Sequence, residues 1–247
     1  MEIIFIVSID VLYRVRYTPF CSRDDFKNHI RFEMGVHHMK IAVIASNGKA
    51  SQLIIKELLS RGHEVTGFAR SANRSAVKNF VQKDILALTK EDLAGFDAVV
   101  DGFGAYEPDV LPLHTKTSQH LADLVAGTNT RLYIVGGAGS LYVDAAHKTQ
   151  LLDTPDFPAE FYPLAKAQTE ELAALRSRKD AHWVFVSPAA DFREDGARTG
   201  KYKLGGEELT LSNAGESVIS YADYAVGMAD LIEKNDLSQI RVSLVQA

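Results

Sequence analysis

From Lys40 onward, apolar and polar positions alternate in blocks. "KIAVIA" is a short apolar run, and Ser51–Ser60 follows with Leu53, Ile54, Leu58 and Leu59 close to the 3.6-residue period of a helix. Gly62, within Arg61-Gly62-His63, is placed to end that helix in a left-handed cap. "EVTGFAR" reads as the next strand, and Ser75–Val81 as a short helix or turn. "FDAVVDGFG" reads as a buried strand, His114–Ala126 as a helix, "RLYIVGGAGS" as a strand and Phe161–Arg178 as a helix. "HWVFVSPAA" then gives a strand and Ala222–Lys234 a helix. Strands lacking polar alternation and separated by helices predict a mostly parallel sheet, covered on both faces and built by right-handed crossovers. The expectation is one doubly wound α/β domain over residues 39–247, with the turn-rich stretch 188–220 forming a small C-terminal lobe over the sheet.

Residues 1–38 do not share this pattern. "MEIIFIVSIDVLYRVRY" begins with an apolar run interrupted by Asp10, with no positive charge before it and no small-residue cleavage site after it, which argues against a signal peptide. Two readings stand for this N-terminal extension: residues upstream of a start at Met39 or Met34, or an extra strand or arm. It is assigned no chemistry.

Composition narrows the partners. The chain of 247 residues is 46% hydrophobic and 24% charged, with a net charge of −5 and no dense basic run, so nucleic acid is not an expected partner. No apolar stretch is long enough to span a bilayer, and no membrane role is expected. A single cysteine, Cys21, forms no intrachain disulfide, no Cys/His cluster has zinc spacing, and a cytoplasmic setting fits. His114 and His120 stand six apart on the predicted helix, on different faces, so no metal is expected.

The opening strand–turn–helix carries the main chemical signal. A dinucleotide turn needs small residues for a tight bend, for close approach of backbone to a pyrophosphate, and for helix–strand packing. Here those positions are Ala45, Gly48 and Ser51, so only the middle one is glycine. Ala45 suits the turn if its φ is negative, and Ser51 is a candidate helix cap. Backbone N–H groups of Ala45 to Ala50, including those of Ser46 and Asn47, would face the phosphates. Lys49 is either a phosphate contact or a solvated lysine. A turn that merely packs is the competing reading. The next strand ends at Arg70, 22 residues after Gly48, where an acid would select the ribose of NAD. A guanidinium suits a phosphate dianion, with Arg74 nearby, so the prediction is NADP(H) over NAD(H); a solvated strand end is the alternative.

Longer stretches extend this reading. "MKIAVIASNGKASQLIIKE", "RLYIVGGAGSLYVD", "TPDFPAEFYPLAKAQTEEL", "WVFVSPAADF", "RTGKYKLGGEELTL" and "ISYADYAVGMADLIE" resemble the atypical short-chain dehydrogenase/reductase group with NmrA-like Rossmann domains, and within it the NADH-flavin reductase subgroup. The resemblance covers 39–247. It implies a Rossmann-like NAD(P)-binding fold with a small C-terminal substrate lobe. It also implies cofactor contacts at the turn 45–51, at Arg70, at Asp84 and Ile85 for the adenine, at Gly102, Phe103 and Gly136, and at Pro188, Ala189 and Ala190 beside the nicotinamide. Ala45 and Ser51 depart from the family's glycines.

Short-chain dehydrogenases use Ser, Tyr and Lys, the tyrosine handling the proton. Tyr162 and Lys166 form a Y-x-x-x-K and would share a helix face, and Ser140 is the serine candidate. Pro163 places Tyr162 at the helix start, and the motif is common by chance. A mechanism without a protein acid passes hydride to a flavin stacked on the nicotinamide; Tyr106, Tyr142, Phe192 and Tyr202 are loop aromatics able to line such a pocket, or to pack. Asp223 reads as a helix-start residue and Trp183 as core. The expected function is an NAD(P)H-dependent reductase acting on a small-molecule hydride acceptor: FMN or FAD, a quinone, or a small carbonyl compound. A homodimer stays open as the assembly. The alternative is a non-catalytic NAD(P)-binding redox sensor working through a protein partner.

Overall fold

The computed structural model describes residues 2–8, 11–16 and 38–247, and the chain divides into two compact units, Met1–His38 and Met39–Ala247. The first unit holds an antiparallel hairpin of β1 (Glu2–Ser8) and β2 (Val11–Arg16), with a register shift between Ile6 and Ser8.

In the second unit the chain runs β3 (Lys40–Ile44), α1 (Lys49–Ser60), β4 (Glu64–Ala69), β5 (Asn79–Gln82), β6 (Ala98–Asp101), α2 (Leu113–Val125) and β7 (Arg131–Val135). It continues through α3 (Tyr162–Arg176), β8 (His182–Ser187), β9 (Asp191–Arg193), β10 (Tyr202–Gly205), β11 (Val218–Ser220), α4 (Tyr221–Lys234) and β12 (Ile240–Gln246). The main sheet has the order β10-β12-β8-β7-β6-β3-β4-β5. Every pair is parallel except β10 with β12. This is a Rossmann-like doubly wound sheet. From β3 the chain moves outward through β4 and β5, then returns to β6 on the other side. The strand order therefore reverses between β3 and β6, which opens a crevice at their carboxyl ends.

Both faces of the sheet are covered, which explains the near-continuous apolar strands. On one face Ile54, Ile55 and Leu58 of α1 and Tyr224, Ala225 and Met228 of α4 pack over Ile41, Val43, Val100, Val184 and Val186. On the other, Leu121 and Val125 of α2 and Leu172 and Leu175 of α3 cover Ala42, Ile44, Val99, Ile134, Trp183 and Phe185. Gly62 ends α1 with φ of 86°, the left-handed cap its position required. Among the described residues no helix is long and apolar enough to cross a membrane.

Two elements differ from the sequence expectation. Within Ser75–Val81, expected as a helix or turn, the chain enters β5 at Asn79; this edge strand holds only two apolar residues, Phe80 and Val81, too few to mark a period. The stretch 188–220 forms the small parallel pair β9–β11, but it also contributes β10 to the main sheet itself. The stretch is tied to the helices by charge: Arg198 pairs with Glu57 of α1 at 3.0 Å, and Tyr202 donates to Asp230 of α4 at 2.7 Å.

Candidate functional site

The turn after β3 is held by its own backbone. Ser46 N–H donates to the Phe68 carbonyl at 3.0 Å, and Gly48 N–H donates to the Ala45 carbonyl at 2.9 Å. These two bonds force Ala45 to φ of 53°, against the negative φ the sequence reading wanted. An alanine there is disfavoured by about 1 kcal/mol relative to glycine. Gly48 itself is extended, with φ of −66° and ψ of 151°, and opens α1 with no side-chain cap. The first N–H groups of α1 therefore point into the crevice without a protein side chain to satisfy them.

Ser51 does not cap the helix. Its side chain is buried against Gly102, where an added Cβ would lie 2.1 Å from Ser51 Oγ. The close approach normally allowed by glycine at the third turn position is here allowed by glycine on the opposing strand end. Ser46 also turns inward: it is fully buried, and a Cβ on Gly67 would come within 2.9 Å of its Oγ. Its N–H already serves Phe68, so Ser46 has no free backbone donor for a phosphate.

Asn47 links the turn to the loop after β4. Its Nδ2 donates to Ser71 Oγ at 3.1 Å and to the Ala72 carbonyl at 2.9 Å, while its Oδ1 accepts from Arg74 N–H at 2.7 Å. Arg70 and Arg74 are thereby held beside the turn, both exposed and, among the described residues, without an acidic partner. Gln82 secures the Arg70 carbonyl at 3.2 Å. Lys49 reaches instead to Glu194, 2.5 Å away beyond β9, and that hydrogen bond raises the ammonium above its ordinary range. Ala50 lies half-buried in the first turn of α1. Asp84 uses one carboxylate oxygen to cap the short turn Ile85–Ala87, accepting from Leu86 N–H at 2.9 Å, with Ile85 half-buried beside it.

On the far side of the crevice, Gly102 N–H donates to the Ile44 carbonyl at 3.2 Å and Phe103 N–H to Asp101 Oδ1 at 3.0 Å. Gly136 N–H donates to the Val186 carbonyl at 3.0 Å; the Phe185 ring fills the space where a Cβ on Gly136 would stand. Pro188 and Ala189 are buried after β8, and exposed Ala190 donates to Ser217 Oγ at 3.1 Å. The elements holding these predicted contacts thus converge on the carboxyl edge of the sheet.

Ser140, Tyr162 and Lys166 are not joined by any hydrogen bond. Ser140 is buried, and its carbonyl accepts from Arg241 at 3.2 Å. Tyr162 opens α3 and is 42% exposed, and Lys166 is exposed one turn on. Between them it is Ala165 that packs inward, against Gly139. Of the loop aromatics, Tyr142 stacks on His147 with centroids 4.5 Å apart, Phe192 packs on Tyr221 and Tyr224, and Tyr202 bonds Asp230. Tyr106 alone of the four stands out into solvent, at 73% exposure. Asp223 stands in the first turn of α4, as expected of a helix-start residue, but Ser220 caps the helix and the Asp223 carboxylate instead holds the Thr199 and Gly200 N–H groups at 2.8 and 2.7 Å.

The NAD(P)H-binding family pattern matches residues 46–235 of this chain. The chain belongs to the NAD(P)H-binding family. YwnB of Bacillus subtilis is 42% identical over 210 residues, which span 84% of this chain and 98% of YwnB. A crystal structure from Streptococcus pneumoniae, of a protein described as a "putative NADH-flavin reductase", is 54% identical. It superposes with a TM-score of 0.83, the match covering 85% of this chain and all of that one. A Lactobacillus casei structure is 30% identical with a TM-score of 0.77, again covering 85% of this chain and all of its own.

This NAD(P)H-binding chain also carries a buried polar group that sequence reasoning did not single out. Asp101, His114 and Glu171 come together beneath the Gly102–Ala105 loop. Burial holds the Asp101 carboxyl up at about 6. Burial, reinforced by the charge of Asp101, raises Glu171 well above the ordinary carboxylate range, and burial pulls His114 down. A polar residue on an otherwise apolar helix face was the available signal, as Glu171 is among Leu172 and Leu175.

Proposed function

We propose that this protein is an NADPH-dependent reductase that delivers hydride to a flat acceptor, a flavin or quinone, in preference to a carbonyl compound. The observation that carries the cofactor assignment is the Asn47 clamp, which sets Arg70 and Arg74 beside an uncapped helix N-terminus. The residues fit the group: the N–H groups of Asn47, Lys49 and Ala50 would hold the pyrophosphate, Gly48 leaves its approach open, and Arg70 would pair with the ribose phosphate. Gly102, Phe103 and Gly136 would line the crevice, and Pro188 to Ala190 would flank the nicotinamide. When bound, the cofactor supplies a hydride.

The flat-acceptor preference rests on Tyr162. A tyrosine working as proton donor needs its hydroxyl held and its acidity adjusted. Here the hydroxyl has no hydrogen-bond partner among the described residues, and no bond ties it to Lys166 or Ser140. A flavin needs no such donor, because it takes the hydride at N5 and a proton from water. The same observation favours a second reading, a dinucleotide-binding sensor acting through a partner. NADPH oxidation monitored with FMN, a quinone and a carbonyl panel separates the two: turnover with FMN or quinone supports the reductase, and silence with every acceptor despite measurable NADPH binding supports the sensor. Tyr162→Phe leaves flavin reduction nearly intact. Arg70→Ala weakens NADPH far more than NADH, and equal losses would overturn the phosphate assignment.

A further inference from the structure

We propose that Glu171 and His114 form a tautomer switch that selects which backbone group of Ala105 is held, and through it the setting of the Gly102–Ala105 loop. The geometry offers two arrangements. His114 Nε2 lies 3.1 Å from the Ala105 carbonyl oxygen and 3.4 Å from the Ala105 nitrogen. With its proton on Nε2 the ring donates to the carbonyl; with a lone pair there it accepts from the Ala105 N–H. The opposite ring nitrogen, Nδ1, faces Glu171 Oε2 at 3.8 Å. Both side chains are buried, and that carboxyl oxygen has no hydrogen-bond partner, which leaves it free to close on Nδ1.

Neutral imidazole carries one N–H, so the state of Glu171 decides where it sits. A protonated Glu171 turns an O–H toward Nδ1, which must then be the lone pair, and the ring proton goes to Nε2 and the Ala105 carbonyl. An ionised Glu171 attracts the ring proton to Nδ1, and Nε2 takes the Ala105 N–H instead. The net change is one proton released to water from Glu171, with the imidazole proton moved between nitrogens by exchange. Phe103 carries the consequence along the loop, because its ring packs edge-on against His114 at 5.3 Å and its N–H is held by Asp101.

The titratable groups facing Glu171 are Asp101 from β6 and His114 from α2, with the Ser118 hydroxyl of α2 alongside. Burial and the Asp101 charge favour the protonated carboxyl, and Ser118 opposes them. The carboxyl is therefore held in its protonated form to higher pH than an ordinary glutamate. Glu171 is a positioning residue, since it acts on the crevice only through His114. The effect on ligand affinity rests on the dinucleotide reading above: an ionised carboxylate beneath the loop adds negative charge near an anionic cofactor, so NADPH binding weakens several-fold as Glu171 ionises.

The test uses the full chain with 15N-labelled histidine. Ring nitrogen shifts of His114 are followed from mildly acidic to alkaline pH, with NADPH titrated calorimetrically across the same range. The expected result is an Nε2–H ring at the low end of the range that converts to Nδ1–H as pH rises, with NADPH affinity falling at the same midpoint. Glu171→Gln, whose amide donates to Nδ1 at every pH, keeps the Nε2–H form and flattens the affinity profile. Asp101→Asn removes the charge opposing ionisation and moves the wild-type midpoint to lower pH. A single unchanging tautomer in the wild type overturns the proposal, as does the same conversion in Glu171→Gln. Should that variant not fold, the wild-type titration and Asp101→Asn decide alone. Absence of NADPH binding at any pH would defeat the dinucleotide reading, while the ring nitrogens would still decide the switch.

Discussion

Replacing Gly102 by alanine would set a methyl carbon 2.1 Å from Ser51 Oγ and 3.2 Å from the Ile44 carbonyl oxygen. The second distance is relieved by a small shift, but the first is not, because Ser51 is 1% exposed on the first turn of α1 and backed by the β3 turn. Either α1 moves away from β6 or the serine leaves its rotamer. Overpacking of this kind costs about 2 kcal/mol, within a range of roughly 1–3. For a domain of this size that lowers Tm by roughly 4–8 °C. Since α1 carries the N–H groups of the crevice, NADPH affinity should fall as well. Ser51→Gly in the same chain removes the colliding oxygen and should restore most of both losses. A thermal-melt double-mutant cycle then gives a coupling of about 1–3 kcal/mol between two positions 51 apart in sequence. An unaltered melting point in Gly102→Ala, or a Ser51→Gly change that adds its own loss without rescue, would refute the idea that the glycine has been exchanged across the interface.

Ala45→Gly relieves the φ of 53° and should raise stability by about 1 kcal/mol in chemical denaturation without weakening NADPH; a loss of stability would show that the methyl is needed for packing. Asn47→Ala frees the loop after β4 and should shrink the NADPH-over-NADH preference measured by calorimetry, even though both arginines remain. Asp101 has a folded value of about 6 against an ordinary 3.8, so its ionisation opposes folding. Its contribution is most favourable below pH 4 and is lost as pH rises to about 6, a cost of about 3 kcal/mol at neutral pH. Asp101→Asn should flatten the stability profile across that window. Glu207 neutralises Arg241, a guanidinium only 1% exposed on β12, through a contact of 2.5 Å. Glu207→Ala should therefore cost about 3–5 kcal/mol by leaving that charge buried and unpaired, a loss that urea unfolding would register.

The alternation of buried strands and amphipathic helices was legible because the sheet is covered on both sides and each strand spells its burial locally. β12 was not, because Arg241 and Ser243 interrupt it with residues that look solvated and are in fact buried. The turn could be located but not its conformation: alanine argues against a positive φ, and only the bonds to Phe68 and within the turn impose one. Ser51 looked like a cap because its partner, Gly102, is visible only once β3 and β6 are neighbours. His114 was weighed against His120 on its own helix, whereas its real counterpart, Glu171, lies on a different one. Contacts within one element were readable; exchanges between elements required the fold.

The hydrogen bonds of Asn47 reach the loop after β4 at the carbonyl of Ala72, the nitrogen of Arg74 and one serine hydroxyl, and never touch a guanidinium. The frame and the side chains it presents are consequently separate parts. The side chains at positions 70 and 74 can be exchanged without cutting any of these bonds, so on the proposed role of Arg70 a change of nucleotide preference would need only single substitutions on an unaltered loop.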